Sequence, residues 1–412
     1  MADWTPLVEG EAAAQALAAV EAIGRDLAVF DSPPGLSLSR GHPGLALFFA
    51  YLERTLGLAG AGERAEHHLG LAIDGLAEPP TPSPSLYAGF VGVAWVAEHL
   101  AAVGPADPDD AHDENDEPDE NGEIDAALLS LLRRSPWRGE FDLLGGLVGW
   151  GVYALERLPR PSAAAILPLV VARLAECAEP GIAGVVWREP RNPSHPPDPG
   201  MAHGAAGVIA LLARMLVEGA ASPEAASLFA AAVDGVLAGL SPAGGGPESD
   251  LAWCAGDAGL SVALLAAGRA AGRSDWQRAG RGLAGAAADR YLHGAEGFDP
   301  ALCHGTAGLS HLFQRLYQAT GDPVLLAAAH RWLERTLASR RPGAGIGGFL
   351  CRGRVAEGRF DWIADPGFLG GAAGIGLALL AAATPVEPGW DRLLLLSGSP
   401  ERRSRRGVRP LV

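Results

Sequence analysis

Two thiols and an imidazole stand out in this sequence because of where they recur. Trp253-Cys254-Ala255-Gly256 and Cys303-His304-Gly305 place a cysteine two residues before a glycine in each case, and His304 directly before it. Zinc binds cysteine sulfur and histidine nitrogen, and three protein ligands leave a fourth position open, as a catalytic rather than a structural site requires. Soft sulfur donors favour zinc over magnesium or calcium. Cys254, Cys303 and His304 are therefore the expected metal ligands. Two further residues share this register: His203 directly precedes Gly204, and Asp142 lies four residues before Gly146. A histidine suits acid–base work near neutral pH, and a nearby carboxylate can orient it or hold its charge.

The register belongs to an internal repeat. Gly-x-x-Gly followed by an apolar run occurs at Gly41/Gly44, Gly89/Gly92, Gly146/Gly149, Gly204/Gly207, Gly256/Gly259, Gly305/Gly308 and Gly371/Gly374. Such periodicity marks a repeat architecture. The runs are apolar on all sides, which predicts buried helices. Between them lie amphipathic stretches at about 11–28, 63–77, 125–134, 162–177, 222–240, 274–291 and 322–338. Ser222-Pro223, Ser274-Asp275 and Asp322-Pro323 are helix-start signals. The expected fold is all-α: a closed α/α toroid of seven inner and seven outer helices, with the glycine ends of the inner helices converging on one cavity. An open solenoid would need polar capping repeats, and the first and last repeats here are as apolar as the others.

Composition narrows the function classes. The chain has 412 residues and a net charge of −16, which argues against nucleic-acid binding. Its 32 basic residues are all arginine, read as coding bias. No apolar run is long enough to span a membrane, and the N-terminus lacks signal-peptide character, so the expectation is a cytoplasmic protein. The repeat implies one domain over residues 1–396. Asp107–Asp125 reads as an acidic, solvated insertion, and 397–412 as a basic, frayed tail. Cys177 and Cys351, outside the register, read as small core residues. His42 and Asp257 read as loop or capping residues, and Trp253 as packing beside the metal.

Taken in order, Phe141-Asp142-Leu143-Leu144-Gly145-Gly146, Ala202-His203-Gly204, Trp253-Cys254-Ala255-Gly256 and Cys303-His304-Gly305 resemble the lanthionine synthetase C-like cyclases of lanthipeptide biosynthesis. The resemblance covers nearly the whole chain. It implies a seven-plus-seven barrel with one zinc at Cys254, Cys303 and His304, and His203 and Asp142 in catalysis. It implies addition of peptide cysteine thiols to dehydroalanine or dehydrobutyrine. The partners it implies are a dehydrated precursor peptide, a separate dehydratase and an export transporter. Two positions depart from the family pattern. Asp250 stands where an arginine is usual, with Arg188 and Arg191 as candidate substitutes, and Ala255 follows the first zinc cysteine. The departures keep two other readings open: a non-catalytic zinc scaffold for a peptide or a dehydratase, and a glutathione-type thiol transferase.

Overall fold

The computed structural model describes residues 4–30, 35–80, 82–103, 119–190, 192–240, 251–289 and 299–397. Each apolar run is a helix. These are α2 (His42–Leu56), α4 (Phe90–Val103), α6 (Leu147–Glu156), α8 (Ala205–Val217), α10 (Asp257–Ala270), α12 (Thr306–Thr320) and α14 (Ala372–Ala383). The amphipathic stretches form α1 (Gly10–Leu27), α3 (Ala61–Asp74), α5 (Gly122–Leu132), α7 (Pro161–Cys177), α9 (Pro223–Gly239), α11 (Ser274–Asp289) and α13 (Pro323–Ser339). Two of the expected start signals act as side-chain caps. Ser222 accepts from the Ala225 N–H, and Asp322 from the Val324 N–H. Among the described residues, strands form two antiparallel pairs, β1 (Glu179–Pro180) with β2 (Val185–Val186) and β3 (Cys351–Ala356) with β4 (Arg359–Ile363).

The even-numbered helices pack each against the next, and α14 returns to α2. Outside them α1 meets both α13 and α14. The ring is thus closed, an α/α toroid, and no polar capping repeat is needed. Residues of α14 from Ala372 to Ala382 are all buried, as befits an inner wall with neighbours on every side.

The glycines serve close approach rather than unusual backbone angles. The first glycine of each pair caps its helix in an extended conformation, for example Gly305 at φ −119°. In most pairs the second receives the apolar residue three positions before the first glycine of the preceding repeat. A Cβ on Gly149 would stand 2.9 Å from that of Leu86, one on Gly374 2.9 Å from that of Leu302, and one on Gly44 2.8 Å from that of Phe368. The last contact joins repeat seven to repeat one. Any side chain in these notches would overpack the junction.

The axis of the ring is filled by the chain's own end. The 3-10 segment Gly389–Leu394 is fully buried. Gly389 lies against Tyr51 of α2. Arg392 reaches Glu156 of α6 at 2.8 Å and His99 of α4 at 3.1 Å. Its carbonyl accepts from Arg214 of α8. Asp391 accepts from His311 and Arg315 of α12, each at 2.7 Å. Trp390 stacks on His311 and meets Phe368 edge-on. Each charge in this buried set has an opposite or hydrogen-bonding partner, the condition under which buried charges are tolerated.

A second buried cation corrects the reading of the acidic stretch. Residues 107–118 lie outside the described set, but the end of the stretch is folded rather than solvated. Asp125 is buried in α5, and Arg157, which caps α6, donates to Asp125 at 2.8 Å, to Asp119 at 2.7 Å and to Glu98 at 2.6 Å. Part of the acidity therefore neutralises an internal arginine. The tail beyond Ser397 also lies outside the described residues.

Truncating Arg392 to Ala would strand Glu156 inside the ring. The expected loss is about 3–5 kcal/mol of stability, read from denaturant midpoints at constant m-value. Acid should act in the same sense. Burial lowers the pKa of His99 and His311, and burial with neighbouring His42 and His67 lowers that of His68 to about 4. Burial alone would raise Asp391, but Arg315 and His311 outweigh it and hold the carboxyl well below its ordinary range. Below about pH 6.5 the unfolded chain therefore binds more protons at these groups than the folded one, and stability falls as pH falls. Exposed His203 opposes this trend, but it is one group against several buried ones. The midpoint of thermal unfolding should decline steadily from pH 6.5 to 5, and a flat profile there would contradict the assignment.

Candidate active site

The residue two positions before the first glycine of each repeat precedes the helix cap. Its main-chain groups therefore have no partner within the helix that follows. They bond sideways instead. Ser39 N–H donates to the Tyr87 carbonyl at 3.1 Å, Tyr87 N–H to Leu144 at 3.1 Å, and Leu143 N–H to Ala202 at 3.1 Å. Ala202 N–H donates to Cys254 at 2.9 Å, Cys303 N–H to Leu369 at 2.9 Å, and Leu369 N–H to Ser39 at 3.1 Å. A belt of backbone hydrogen bonds thus runs around the mouth of the toroid from Cys303, through repeats seven and one, to Cys254. Cys254 and Cys303 are members of it, in neighbouring repeats, and both are half-buried.

His203 and His304 stand one residue further along, at the exposed lip. His203 Nδ1 lies 2.5 Å from Asp142 Oδ2, and Asp142 Oδ1 accepts from the Gly145 N–H at 2.8 Å. Asp142 is nearly buried while the His203 side chain is 58% exposed. The carboxylate is fixed on both oxygens and the ring presents its other nitrogen outward. The hydrogen bond that His203 donates to Asp142 raises its pKa above the ordinary value against an opposing effect of burial; the charges of Asp142, Asp198 and Cys254 add to the rise. Sequence reasoning paired these two residues, and the fold brings them together across adjacent repeats.

His304 has a carboxylate of its own. Its Nε2 lies 3.4 Å from Asp299 Oδ2, whose other oxygen accepts from the Ala301 N–H at 2.8 Å. Among the described residues no three His, Cys, Asp or Glu side chains stand in a ready-made metal cluster. The donor set nonetheless suits zinc in its chemistry. It offers two sulfurs at equivalent belt positions of two neighbouring repeats and an imidazole directly after the second, with a carboxylate against one imidazole nitrogen as the orienting partner of a ligating histidine. The two cysteines outside the belt have thiols held protonated. Burial pushes Cys177 up to about 11 and raises Cys351 further.

Of the floor beneath the belt, sequence reasoning gave Trp253 a packing role and passed over Tyr87. Tyr87 donates through its hydroxyl to the Leu393 carbonyl at 2.8 Å, and Trp253 Nε1 donates to the Leu394 carbonyl at 2.9 Å. Their rings lie 6.5 Å apart. Cys303 is close enough to Tyr87 that a thiolate there adds to the rise in the tyrosine's pKa, which is mainly due to burial. Tyr87 occupies the same register as Cys254 and Cys303, so the signal was present. Its aromatic type hid it among core residues.

A second register was also missed. Asp198, Asp299 and Asp365 each stand six residues before a first glycine. In each, a side-chain oxygen accepts from the N–H two residues on, and the main-chain carbonyl accepts from the first residue of the helix. They hold the turn that carries the belt. Asp250 falls at the same position of its repeat. It lies outside the described residues, as does Arg191. Arg188 is held by Glu179 at 3.1 Å and the His195 carbonyl at 2.8 Å, and is not brought to His203 or Asp142. At the belt's first repeat, Arg40 pairs with Asp365 at 3.0 Å. His42 begins α2 and meets His68 of α3 at 3.0 Å, and Asp257 begins α10.

A closed α/α toroid with cysteines, histidines and paired carboxylates gathered at one mouth defines a helical-barrel enzyme scaffold. Over residues 32–395 the chain matches the family described as Lanthionine synthetase C-like protein, and it belongs to that family. Thirteen solved chains match it. Nisin cyclase is one, with a TM-score of 0.69 at 19% identity, covering 91% of this chain and 97% of that one. At that identity the likeness shows a shared fold. Comparison with curated proteins gave no match. No helix among the described residues is long and apolar enough to cross a membrane.

Replacing Asp142 with Asn removes the charge and weakens the acceptor that hold the proton on His203. The His203 titration midpoint, followed by NMR of its imidazole, should move to lower pH in Asp142→Asn. An unchanged midpoint would show that the pair does not act as a unit.

Proposed function

We propose that this chain is a zinc-dependent lanthipeptide cyclase, adding peptide cysteine thiols to dehydroalanine or dehydrobutyrine to form lanthionine and methyllanthionine. Family membership supports lanthionine formation. The observation that carries the residue assignment is the His203–Asp142 pair, set on the same belt as Cys254, Cys303 and His304. Cys254, Cys303 and His304 would hold one zinc, with Asp299 steadying His304. Bound there, zinc would lower the pKa of a substrate thiol and keep it nucleophilic at neutral pH.

The reaction moves one proton from sulfur to carbon. The S–H bond is lost, a C–S bond forms at the β-carbon, and the alkene π electrons pass into an enolate. The α-carbon then takes a proton. His203 suits this last step. Asp142 keeps it charged to higher pH than a free imidazole, and its half-exposed ring can hand over the Nε2 proton. Asp142 positions His203 through Nδ1 and balances its charge. Trp253 and Tyr87 close the floor, so the reacting groups meet above an apolar base rather than bulk water.

The substrate in this reading is a dehydrated precursor peptide. A separate dehydratase makes it and a transporter exports the product. The cyclase works in the cytoplasm beside them.

Purified protein should hold about one zinc per chain by elemental analysis. Cys303→Ala should lose both zinc and ring closure on a dehydrated peptide. His203→Ala should keep its zinc and lose turnover by about 10²–10⁴-fold. Cyclisation that survives Cys303→Ala would refute the metal assignment. Peptide binding without ring closure in zinc-loaded wild type would favour the scaffold reading.

A further inference from the structure

The antiparallel pair β3–β4 interrupts the repeat between α13 and α14, and one of its faces is anchored at the active-site mouth. Cys351 is buried. The Arg352 N–H donates at 2.7 Å to Asp299 Oδ2, the same oxygen that lies 3.4 Å from His304. Gly353 packs under Ile363 and close to the Arg40 guanidinium. The hairpin therefore shares a carboxylate with the residue expected to bind metal.

Its other face is turned outward. Arg352 is paired with Trp362 and Arg354 with Phe360, and cross-strand partners share one face of a sheet. All four are exposed, Phe360 at 56% and Trp362 at 44%. The Arg352 guanidinium lies 5.7 Å over the Phe360 ring. Two large aromatics left in water beside two arginines add nothing to the core. Aromatic residues and arginine are the types enriched where proteins bind partners. The charge is also out of keeping with a chain of net charge −16. An anionic partner is repelled by most of the surface and attracted here.

We propose that this face docks an acidic, extended segment of the peptide substrate, outside its ring-forming residues. The inference rests on the cyclase reading above. Arg352 and Arg354 are two residues apart on one strand, about 7 Å. That is the spacing of alternate side chains on an extended peptide, so two carboxylates at i and i+2 can each meet one guanidinium. Apolar side chains of the same segment would lie on Phe360 and Trp362. With the hairpin fixed to Asp299, the docked segment delivers the following residues to the belt and raises their local concentration. A membrane or nucleic acid fits less well, because a two-arginine patch cannot offset the charge of the whole chain over so broad a contact.

The test uses the zinc-loaded full chain and two synthetic peptides with the same dehydroalanine and cysteine pair. One carries an N-terminal extension alternating Glu and Leu, the other a Gly/Ser extension of equal length. Wild type should show a KM about tenfold lower for the acidic peptide at similar kcat, an advantage that shrinks as salt rises. In Arg352→Glu/Arg354→Glu the KM ratio of the two peptides should fall to about one, and Phe360→Ala/Trp362→Ala should reduce it. A ratio unchanged by the charge reversal overturns the proposal. If neither peptide is cyclised, the cyclase reading fails by itself, and fluorescence anisotropy of the labelled acidic extension still decides the docking. Binding by wild type that is lost in the double-arginine variant supports it. Equal binding by both, or a preference for anionic lipid vesicles over the peptide, overturns it.

Discussion

The belt of backbone hydrogen bonds at the mouth of the toroid is the constraint on which the rest depends. Residues that precede a helix cap have N–H and C=O groups that the helix cannot use, and here neighbouring repeats satisfy one another's from Cys303, through repeats seven, one, two, three and four, to Cys254. The bonds from Ala202 to Cys254 and from Cys303 to Leu369 put the two thiols on a rigid track rather than on free loops. The glycines make the track possible. With side chains at Gly44, Gly149 or Gly374, the apolar residue of the adjacent repeat could not enter its notch, and the loops would stand too far apart to bond. A Gly-x-x-Gly repeat that looks like a turn signal is thus a steric device for drawing successive helix starts together.

Closing a ring of helices leaves an axis to fill, and this protein fills it with its own C-terminal segment. Trp390 supplies volume, while Asp391 and Arg392 bind groups from α4, α6 and α12. The segment also props the site, since Leu393 and Leu394 accept the hydrogen bonds of Tyr87 and Trp253. Floor and belt are consequently linked. The charges in the ring's middle are costly to bury and each meets an opposite or hydrogen-bonding group, which ties residues 389–394 to a single position relative to the inner helices.

The mouth carries a recurring arrangement: a basic or imidazole side chain directly before the first glycine, against a carboxylate from a nearby turn. Arg40 has Asp365, His203 has Asp142, and His304 has Asp299. The same geometry gives different chemistry by residue type. A guanidinium stays charged and structural, while an imidazole held by a buried carboxylate keeps its proton to higher pH. This variation on equivalent positions lets a repetitive scaffold hold an asymmetric site.

Much of this was legible in the sequence. The period of apolar runs and glycine pairs specified fourteen helices in two layers, because burial on all sides and burial on one side leave different patterns. The register of Cys254, Cys303, His304 and His203 specified that they share one mouth, because equivalent positions of a closed repeat must. Other features were not readable, for physical reasons that lie between distant segments. Nothing local marks Asp299 as the partner of both His304 and the β3–β4 hairpin, since that depends on an insertion folding back across the repeat boundary. Asp125 looked like one more solvated acid until Arg157, buried on another helix, needed its charge. Tyr87 matched the register of the cysteines but carries a side chain whose role depends on what lies beneath it. Repetition along the chain determined where the candidate site residues gather; only the closed ring, with its core threaded by residues 389–395, decided what surrounds them, because those contacts join residues far apart in sequence whose pairing no local pattern encodes.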